Sequence, residues 1–167
     1  MMQIQAVTSL DFEALLALNE DSVPHVNSID AAQMERFLQQ AAAFFKIVDE
    51  EKLVGFVISL GAGADYHSPN YTWFARQLTQ FLYIDRIMVH PDYRRLGVAS
   101  LIYQELQKRA LAKGLTKLCC EVNLMPPNPD SLALHFSLGF IQVGAQHTNG
   151  GEKEVALLVK SLEGLIE

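Results

Sequence analysis

The stretch that decides the fold covers residues 81–114 and reads FLYIDRIMVHPDYRRLGVASLIYQELQKRALAKG. Its first part, Phe81–Val89, is short, apolar and rich in aromatic and β-branched residues, which predicts a buried strand that ends before Pro91. Apolar residues at helical spacing follow from Val98, and Gly114 is typical of the end of a helix. The stretch therefore predicts a strand, a turn and a helix in that order.

The turn between the strand and the helix carries Arg94, Arg95 and Gly97. The first turn of a helix has backbone N–H groups without partners inside the helix, and its positive end attracts anions. The glycine lacks a Cβ and lets a ligand lie close to the backbone, while the arginines add positive charge. The predicted ligand group is a phosphate or a pyrophosphate.

This segment resembles the coenzyme A site of the GNAT acetyltransferase superfamily. The signature of that site is Arg/Gln-x-x-Gly-x-Gly/Ala between a strand and a helix, and Arg94, Gly97 and Ala99 match its fixed positions. The resemblance implies an acetyltransferase that uses acetyl-CoA as co-substrate and needs no metal. The alternative is an ordinary strand–turn–helix whose arginines are only solvated.

The resemblance also implies which residues hold the coenzyme. Backbone groups at the end of the strand pair with the pantetheine arm, and the N–H of Val89 donates to the thioester oxygen. The pyrophosphate lies on the amides that open the helix, and two polar residues of a second motif face the coenzyme. In this chain these residues are Ile87, Met88, Val89, Arg94, Arg95, Leu96, Gly97, Val98, Ala99, Ser100, Asn128 and Ser131.

The second motif resembles the family pattern Asn-x-x-Ala/Ser followed by a helix and Leu-Gly-Phe. Asn128 is a good helix cap, Pro129 suits the first helical position, and Gly139 ends the helix. Ser131 matches the second polar position. Many family members place a tyrosine four residues before the glycine to protonate the departing thiolate, and here that residue is His135.

Two side chains, His135 and Asp85, are candidates for proton transfer. Histidine has an unperturbed pKa of about 6.5 and can serve as acid or base; the alternative is that it only binds a neighbour or the coenzyme. Asp85 lies inside an apolar strand, where a carboxylate is either functional, as the general base often found near this position in the family, or ion-paired. Strand alternation directs Asp85 and Arg86 to opposite faces, so they need not pair with each other.

The connection Gly61–Gln80 is rich in glycine and aromatic residues and predicts a long loop. Long ordered loops in compact domains are often functional, so we expect Tyr66, Tyr71 and Trp73 to shape the acceptor pocket. The alternative is that these aromatic side chains only attach the loop to the core.

Three polar residues complete the predicted acceptor site. Glu121, in the strand Lys117–Asn123, can act as the base in place of Asp85. Arg86 or His67 is the candidate for binding a carboxylate on the acceptor.

The rest of the chain predicts a mixed α/β (α+β) fold in a single GNAT-like domain, residues 1–167. The resemblance implies a mostly antiparallel, twisted sheet that splays at the coenzyme A site and is flanked by about four helices. The further predicted strands are Gln3–Val7, Phe44–Asp49, Leu53–Leu60, Phe140–Gly144 and Glu154–Lys160, and the further predicted helices end near Asp21, Ala42 and Gly139.

Composition narrows the class of protein. The chain has 167 residues, half of them hydrophobic, and a net charge of −6, which disfavours general binding to nucleic acid or to anionic membranes. Its two cysteines are adjacent and unsuited to a mutual disulfide, which fits a reducing, cytoplasmic location. No signal peptide or membrane span is predicted, and the histidines lack metal-ligand spacing with the cysteines.

The function expected from the sequence is transfer of an acetyl group from acetyl-CoA to a primary amine of a small or amino-acid-like molecule. Three alternatives stay open: a coenzyme A-binding module without turnover, a protein N-acetyltransferase, and O-acylation or use of a longer acyl donor. Family members are often dimers, so a homodimer is a state that the resemblance allows.

Overall fold

A computed structural model describes residues 1–165, which form both strands and helices. In chain order the elements are β1 (Met2–Ala6), α1 (Phe12–Glu20), α2 (Ala31–Gln40), β2 (Ala43–Asp49), β3 (Lys52–Gly61), α3 (Pro69–Gln77), β4 (Phe81–Val89), α4 (Val98–Ala112), β5 (Lys117–Met125), α5 (Pro129–Ser137), β6 (Ile141–Thr148) and β7 (Lys153–Ser161). Short 3-10 helices lie at Ser9–Asp11, Pro91–Tyr93 and Asn149–Gly151.

The seven strands form one sheet in the order β1-β2-β3-β4-β5-β7-β6. The pairs β1–β2, β2–β3, β5–β7 and β6–β7 are antiparallel, and β4 runs parallel to β5. The predicted mixed α/β fold with a mostly antiparallel sheet is confirmed. The described chain has five α-helices where about four were predicted.

The chain packs as two compact units. The first contains Met1–Leu60 and Ile84–Lys108, and its core includes Leu15, Met34 and Ile102, none of which is exposed to solvent. The second contains Gly61–Tyr83 and the chain from Arg109 onward, with a core built from Phe74, Phe81, Leu118 and Leu157. None of the helices within residues 1–165 is both long and apolar enough to cross a membrane.

The additional helix, α3, lies in the connection that was predicted to be a long loop, and that prediction was wrong. The Oγ of Ser68 accepts a hydrogen bond from the N–H of Tyr71 at 3.1 Å, and Pro69 occupies the first helical position. A serine cap followed by proline is a strong start signal for a helix, but the surrounding glycine and aromatic residues concealed it.

The turn between β2 and β3 holds two glutamates in the left-handed backbone region. Asp49 pairs with Lys52, so the turn has two central residues, Glu50 with φ 48° and Glu51 with φ 74°. Two-residue hairpin turns of this kind favour asparagine followed by glycine, because a Cβ is unfavourable at positive φ.

We expect the double substitution Glu50→Asn/Glu51→Gly to stabilise the chain by about 1–2 kcal/mol, since it relieves left-handed strain at both positions. Urea unfolding measures the change. The matched control is Glu50→Ala/Glu51→Ala, which removes the same two charges but keeps a Cβ at each position. Equal stability of the two double variants would contradict the role assigned to backbone strain.

Candidate active site

The turn that opens α4 is exposed and positively charged. Arg94, Arg95 and Gly97 are exposed, and both Arg95 and Gly97 have positive φ, at 62° and 85°. The N–H of Leu101 donates to the carbonyl of Gly97 at 3.0 Å, which is the first bond of the helical pattern. The N–H groups of the residues before Leu101 therefore have no carbonyl to bind one turn earlier within α4.

Space in front of this turn is open to a ligand. A Cβ built on Gly97 would meet no atom within 4 Å from any residue of 1–165 other than its two chain neighbours, so the backbone of the turn can be approached closely. An arginine-bearing helix N-terminus with this access suits a pyrophosphate group. The anion site predicted from the sequence is thus compatible with the geometry of the turn.

Tyr93, directly before the turn, is attached to the hairpin β2–β3. Its hydroxyl donates to Oδ2 of Asp49 at 3.2 Å, and the Nζ of Lys52 lies 5.1 Å from the centre of its ring. Burial, and next the hydrogen bond to Asp49, raise the pKa of Tyr93, so its hydroxyl remains a donor near neutral pH. These contacts fix the backbone that enters the turn.

Gly55, in the interior of β3, brings the start of α4 close to β4. A Cβ at this position would lie 2.9 Å from the carbonyl oxygen of Met88 and 2.9 Å from Cγ1 of Val98. Only glycine allows this approach. The sequence prediction missed this residue, although a glycine inside an apolar strand is a recognised sign of close backbone contact.

At the end of β4, the backbone N–H and C=O groups of successive residues point alternately toward β3 and away from it. The N–H of His90 donates to the carbonyl of Val54 in β3 at 2.8 Å, and the carbonyl of Met88 faces β3 at Gly55. Neighbouring residues of a strand point their N–H and C=O groups to opposite sides. Ile87 and Val89 therefore direct these groups away from β3, as a strand-like pantetheine arm would require.

Asp85 and Arg86 form an ion pair, although strand alternation did not require them to meet. The Nε of Arg86 lies 2.7 Å from Oδ2 of Asp85, and the two side chains are only 7% and 4% exposed. An arginine side chain is long enough to reach the residue next to it in a strand. This arrangement supports the ion-pair alternative for Asp85 over its assignment as a catalytic base.

The same arginine contacts the first two helices. Its Nη1 donates to Oδ1 of Asn19 at 3.0 Å and to the carbonyl of Asn27 at 3.1 Å, and its guanidinium lies 5.5 Å from the ring centre of Phe37. These buried contacts favour a structural role for Arg86 over binding of an acceptor carboxylate. His67 is exposed, and its Nε2 lies 2.8 Å from Oδ1 of Asp65.

The second motif forms α5, but Asn128 does not cap it with its side chain. Its backbone makes the contacts instead: its N–H donates to the carbonyl of Asn123 at 3.2 Å, and its carbonyl accepts from Leu132 at 3.1 Å. The backbone of Asn128, at φ −133° and ψ 68°, departs from the extended form usual for a cap. Asn128 is therefore the N-cap residue, as predicted, but it lacks the expected side-chain hydrogen bond to the helix. The role of Asn128 toward the coenzyme stays a prediction.

His135 is buried in α5, with 3% of its surface exposed. Its Nδ1 lies 2.6 Å from the carbonyl oxygen of Ser131, which can only accept, so Nδ1 carries a proton and Nε2 holds the lone pair of the neutral ring. Burial lowers the pKa of His135, opposed by the Ser131 carbonyl. The neutral ring is therefore the main form near pH 7, and it favours accepting a proton over donating one.

A pH-dependent stability follows from this burial. The folded pKa of His135 lies below the unfolded value of about 6.5, so the unfolded chain binds more protons as pH falls through 6.5. We expect His135→Gln, which keeps a donor for the Ser131 carbonyl, to lower the free energy of unfolding by about 1–2 kcal/mol at pH 7.5. The loss should be smaller at pH 5, because the wild type is destabilised there by protonation of His135 in the unfolded chain and the variant is not. Urea unfolding at both pH values measures the gap, and a constant gap would contradict the assignment.

Glu121, on β5, belongs to a polar cluster in the second unit. The Oη of Tyr83 lies 2.7 Å from Oε1 and 2.9 Å from Oε2 of Glu121, and the Nδ2 of Asn70 donates to Oε2 at 2.7 Å. The Nε2 of Gln146 donates to Oδ1 of Asn70 at 2.7 Å. Sequence reasoning found only Glu121, because α3, which carries Asn70, was not predicted.

The aromatic side chains of the connection before β4 pack against other residues of the second unit. Tyr71 is 3% exposed, its hydroxyl donates to the carbonyl of Gly61 at 2.6 Å, and the ring of Tyr66 packs edge-on against it at 5.6 Å. Trp73 packs against Gly144, where an added Cβ would lie 3.0 Å from the indole. These contacts favour the alternative in which the aromatic side chains attach this segment to the core.

Metal binding has no candidate among residues 1–165: no three His, Cys, Asp or Glu side chains there are grouped so as to hold an ion.

Sequence comparison finds a protein family that matches this chain and one similar protein. The sequence model of the acetyltransferase (GNAT) family matches residues 10–140. The thialysine N-epsilon-acetyltransferase of Caenorhabditis elegans is 21% identical over 98 residues, which are 59% of this chain and 60% of that protein. This match spans less than two thirds of the relative's length.

Solved structures with the same fold cover nearly the whole chain. Ard1 from Thermoplasma volcanium has a TM-score of 0.78 at 13% identity, with 96% of this chain and 97% of that chain covered. The ribosomal-protein-S18-alanine N-acetyltransferase from Escherichia coli has a TM-score of 0.72 at 18% identity, with 96% and 94% covered. At these identities the likeness shows the fold alone.

Proposed function

Because the chain belongs to the acetyltransferase (GNAT) family, we propose that it transfers an acetyl group from acetyl-CoA to a primary amine of a small, amino-acid-like acceptor. The observation that carries this proposal is the exposed, arginine-bearing turn at the start of α4. Its backbone can be approached closely at Gly97, and its first amides lack helical partners.

The residues of this turn would hold the coenzyme as follows. Amides from Arg95 to Ala99, with the Ser100 hydroxyl, bind the pyrophosphate, and the side chains of Arg94 and Arg95 neutralise its charge. The backbone of Ile87 and Val89, directed away from β3, pairs with the pantetheine arm. The N–H of Val89 donates to the carbonyl oxygen as negative charge develops on it.

The proposed reaction is a direct attack in a ternary complex. The lone pair of the neutral amine attacks the thioester carbonyl carbon, a C–N bond forms and the C–S bond breaks. The thiolate leaves with the bonding electron pair, and the nitrogen loses one proton. The products are an N-substituted acetamide and coenzyme A with a free thiol. Bound acetyl-CoA supplies the activated acyl group, so the protein contributes mainly placement.

His135 is the residue that we propose to carry the proton. Its neutral ring can take the proton that the amine loses and give it to the thiolate, so that no net proton is gained or lost. Burial lowers the pKa of His135, which keeps its ring neutral near pH 7, and the neutral ring is the form that can take up a proton. Asp85, as the ion-pair partner of Arg86, has a structural role in this scheme.

A small, cationic acceptor is supported by two observations. The curated relative carries the name of an enzyme for thialysine, and this chain has a net charge of −6, which attracts cations. Protein N-acetyltransferases share the fold, so a protein amine is the competing acceptor. A single domain, a cytoplasmic location and a homodimer stay predictions.

The experiment is a screen of the purified chain with acetyl-CoA and a panel of amines, scored by thiol release and by the mass of the acetylated product. We expect stoichiometric thiol and product with at least one small primary amine. An N-terminal peptide panel run in parallel tests the protein-acceptor alternative. Binding of acetyl-CoA without turnover of any amine would favour the non-catalytic module and contradict the proposal.

A further inference from the structure

The carboxylate of Glu121 is held in place by two donors from different elements. Tyr83, on β4 and 1% exposed, shares its hydroxyl hydrogen between both carboxylate oxygens, and Asn70, on α3, donates its amide to Oε2. Hydrogen bonds of this kind are strongest to the ionised carboxylate. Glu121 itself is half-buried, so part of its surface remains accessible to a ligand.

The orientation of Asn70 is fixed as well. Because its Oδ1 accepts from Gln146 at 2.7 Å, its Nδ2 is the group that faces Glu121. Asn70 also lies on the helix whose Trp73 packs against Gly144 of β6. A fixed helix, an oriented amide and a buried hydroxyl therefore give the carboxylate one position, which is the preorganisation that a binding site needs.

We propose that Glu121 binds the ammonium group of the acceptor, with Asn70 and Tyr83 as positioning residues. The acceptor is accordingly a primary alkylamine that binds as a cation at its reacting end; the ammonium then releases one proton to solvent, and the neutral amine so formed attacks the thioester. This inference rests on the proposed function and names the substrate class. Two donors from different elements hold the carboxylate in one position, so the arrangement suits an anchor for a cation.

The test compares two acceptors that differ in charge: n-butylamine, a cation at pH 7.5, and p-anisidine, an aromatic amine that is neutral there. For Glu121→Gln we expect the KM for n-butylamine to rise roughly 30-fold. The KM values for p-anisidine and for acetyl-CoA stay within about two-fold. Asn70→Ala and Tyr83→Phe raise the KM for n-butylamine in the same direction by smaller factors.

The matched control is Glu152→Gln, the same charge change at an exposed residue of the second unit; it is expected to leave both KM values unchanged. If Glu121→Gln instead lowers kcat for both amines, leaves the KM values alone and removes the acidic limb of the pH–rate profile, Glu121 is a base and the proposal is overturned. No change in any of these quantities also overturns it.

A binding measurement separates this proposal from the proposed function. Ligand-observed NMR follows n-butylamine with wild type and Glu121→Gln in the presence of coenzyme A. Binding lost in the variant, with no amine acetylated by the wild type, supports the ammonium site and contradicts the acetyltransferase. Acetylation of n-butylamine with equal binding to both proteins contradicts the ammonium site alone.

Discussion

Replacing Gly55 by alanine is expected to destabilise the folded chain by about 2–3 kcal/mol, because the added methyl group overpacks a buried contact. The new Cβ would lie 2.9 Å from the carbonyl oxygen of Met88 and from Cγ1 of Val98. A backbone carbonyl cannot rotate away as a side chain can, so β4 or the start of α4 has to move. Acetyl-CoA binding should therefore weaken together with stability.

A double-mutant cycle tests the origin of this cost. Val98→Ala alone opens a cavity at a residue that is 1% exposed, while in Gly55→Ala/Val98→Ala it also removes one of the two atoms that lie 2.9 Å from the new Cβ. We expect the double variant to be more stable than the sum of the single changes by about 1 kcal/mol. Urea unfolding measures all four proteins. Additive effects, or a Gly55→Ala variant as stable as the wild type, would contradict this account of the contact.

Replacing Gly97 by glutamate is expected to raise the dissociation constant of acetyl-CoA at least 100-fold, about 2.7 kcal/mol. The substitution places a negative charge and a side chain in the space that the pyrophosphate would occupy, because no described residue beyond the two chain neighbours of Gly97 lies within 4 Å of the Cβ position. Equilibrium titration with acetyl-CoA measures the effect.

Gly150 offers the matched control for this change. Its φ is 65°, against 85° at Gly97, and within residues 1–165 only its chain neighbours come within 4 Å of its Cβ position, so Gly150→Glu introduces similar backbone strain and the same charge. Each variant should lose about 1–2 kcal/mol of stability from the left-handed conformation, but only Gly97→Glu should lose acetyl-CoA. Equal binding by both variants would remove the phosphate role from the turn.

The sequence predicted those elements whose ends are marked by residues within the element or next to it. The strand Phe81–Val89 and the helix that begins at Val98 were predicted within a residue or so, because proline, glycine and hydrophobic periodicity mark their ends directly. The family resemblance drawn from Arg94, Gly97 and Ala99 is confirmed by the family match over residues 10–140.

The features that the sequence did not predict depend on contacts between residues distant in sequence, and hydrophobic periodicity carries no information on such contacts. The roles of Gly55 and Asn70 appear only when β3 meets α4 and when α3 meets β5. The Asp85–Arg86 pair depends on the reach of a long side chain, which an argument from strand alternation leaves out. The roles of the site residues toward acetyl-CoA and the amine stay predictions.

The most direct measurement is a calorimetric titration of the wild-type chain with coenzyme A and, separately, with pantetheine, which lacks the diphosphate. If the amides and arginines that open α4 bind that group, coenzyme A should bind at least roughly 100-fold more tightly than pantetheine. Equal affinities for the two compounds, or no heat with coenzyme A, would contradict the account.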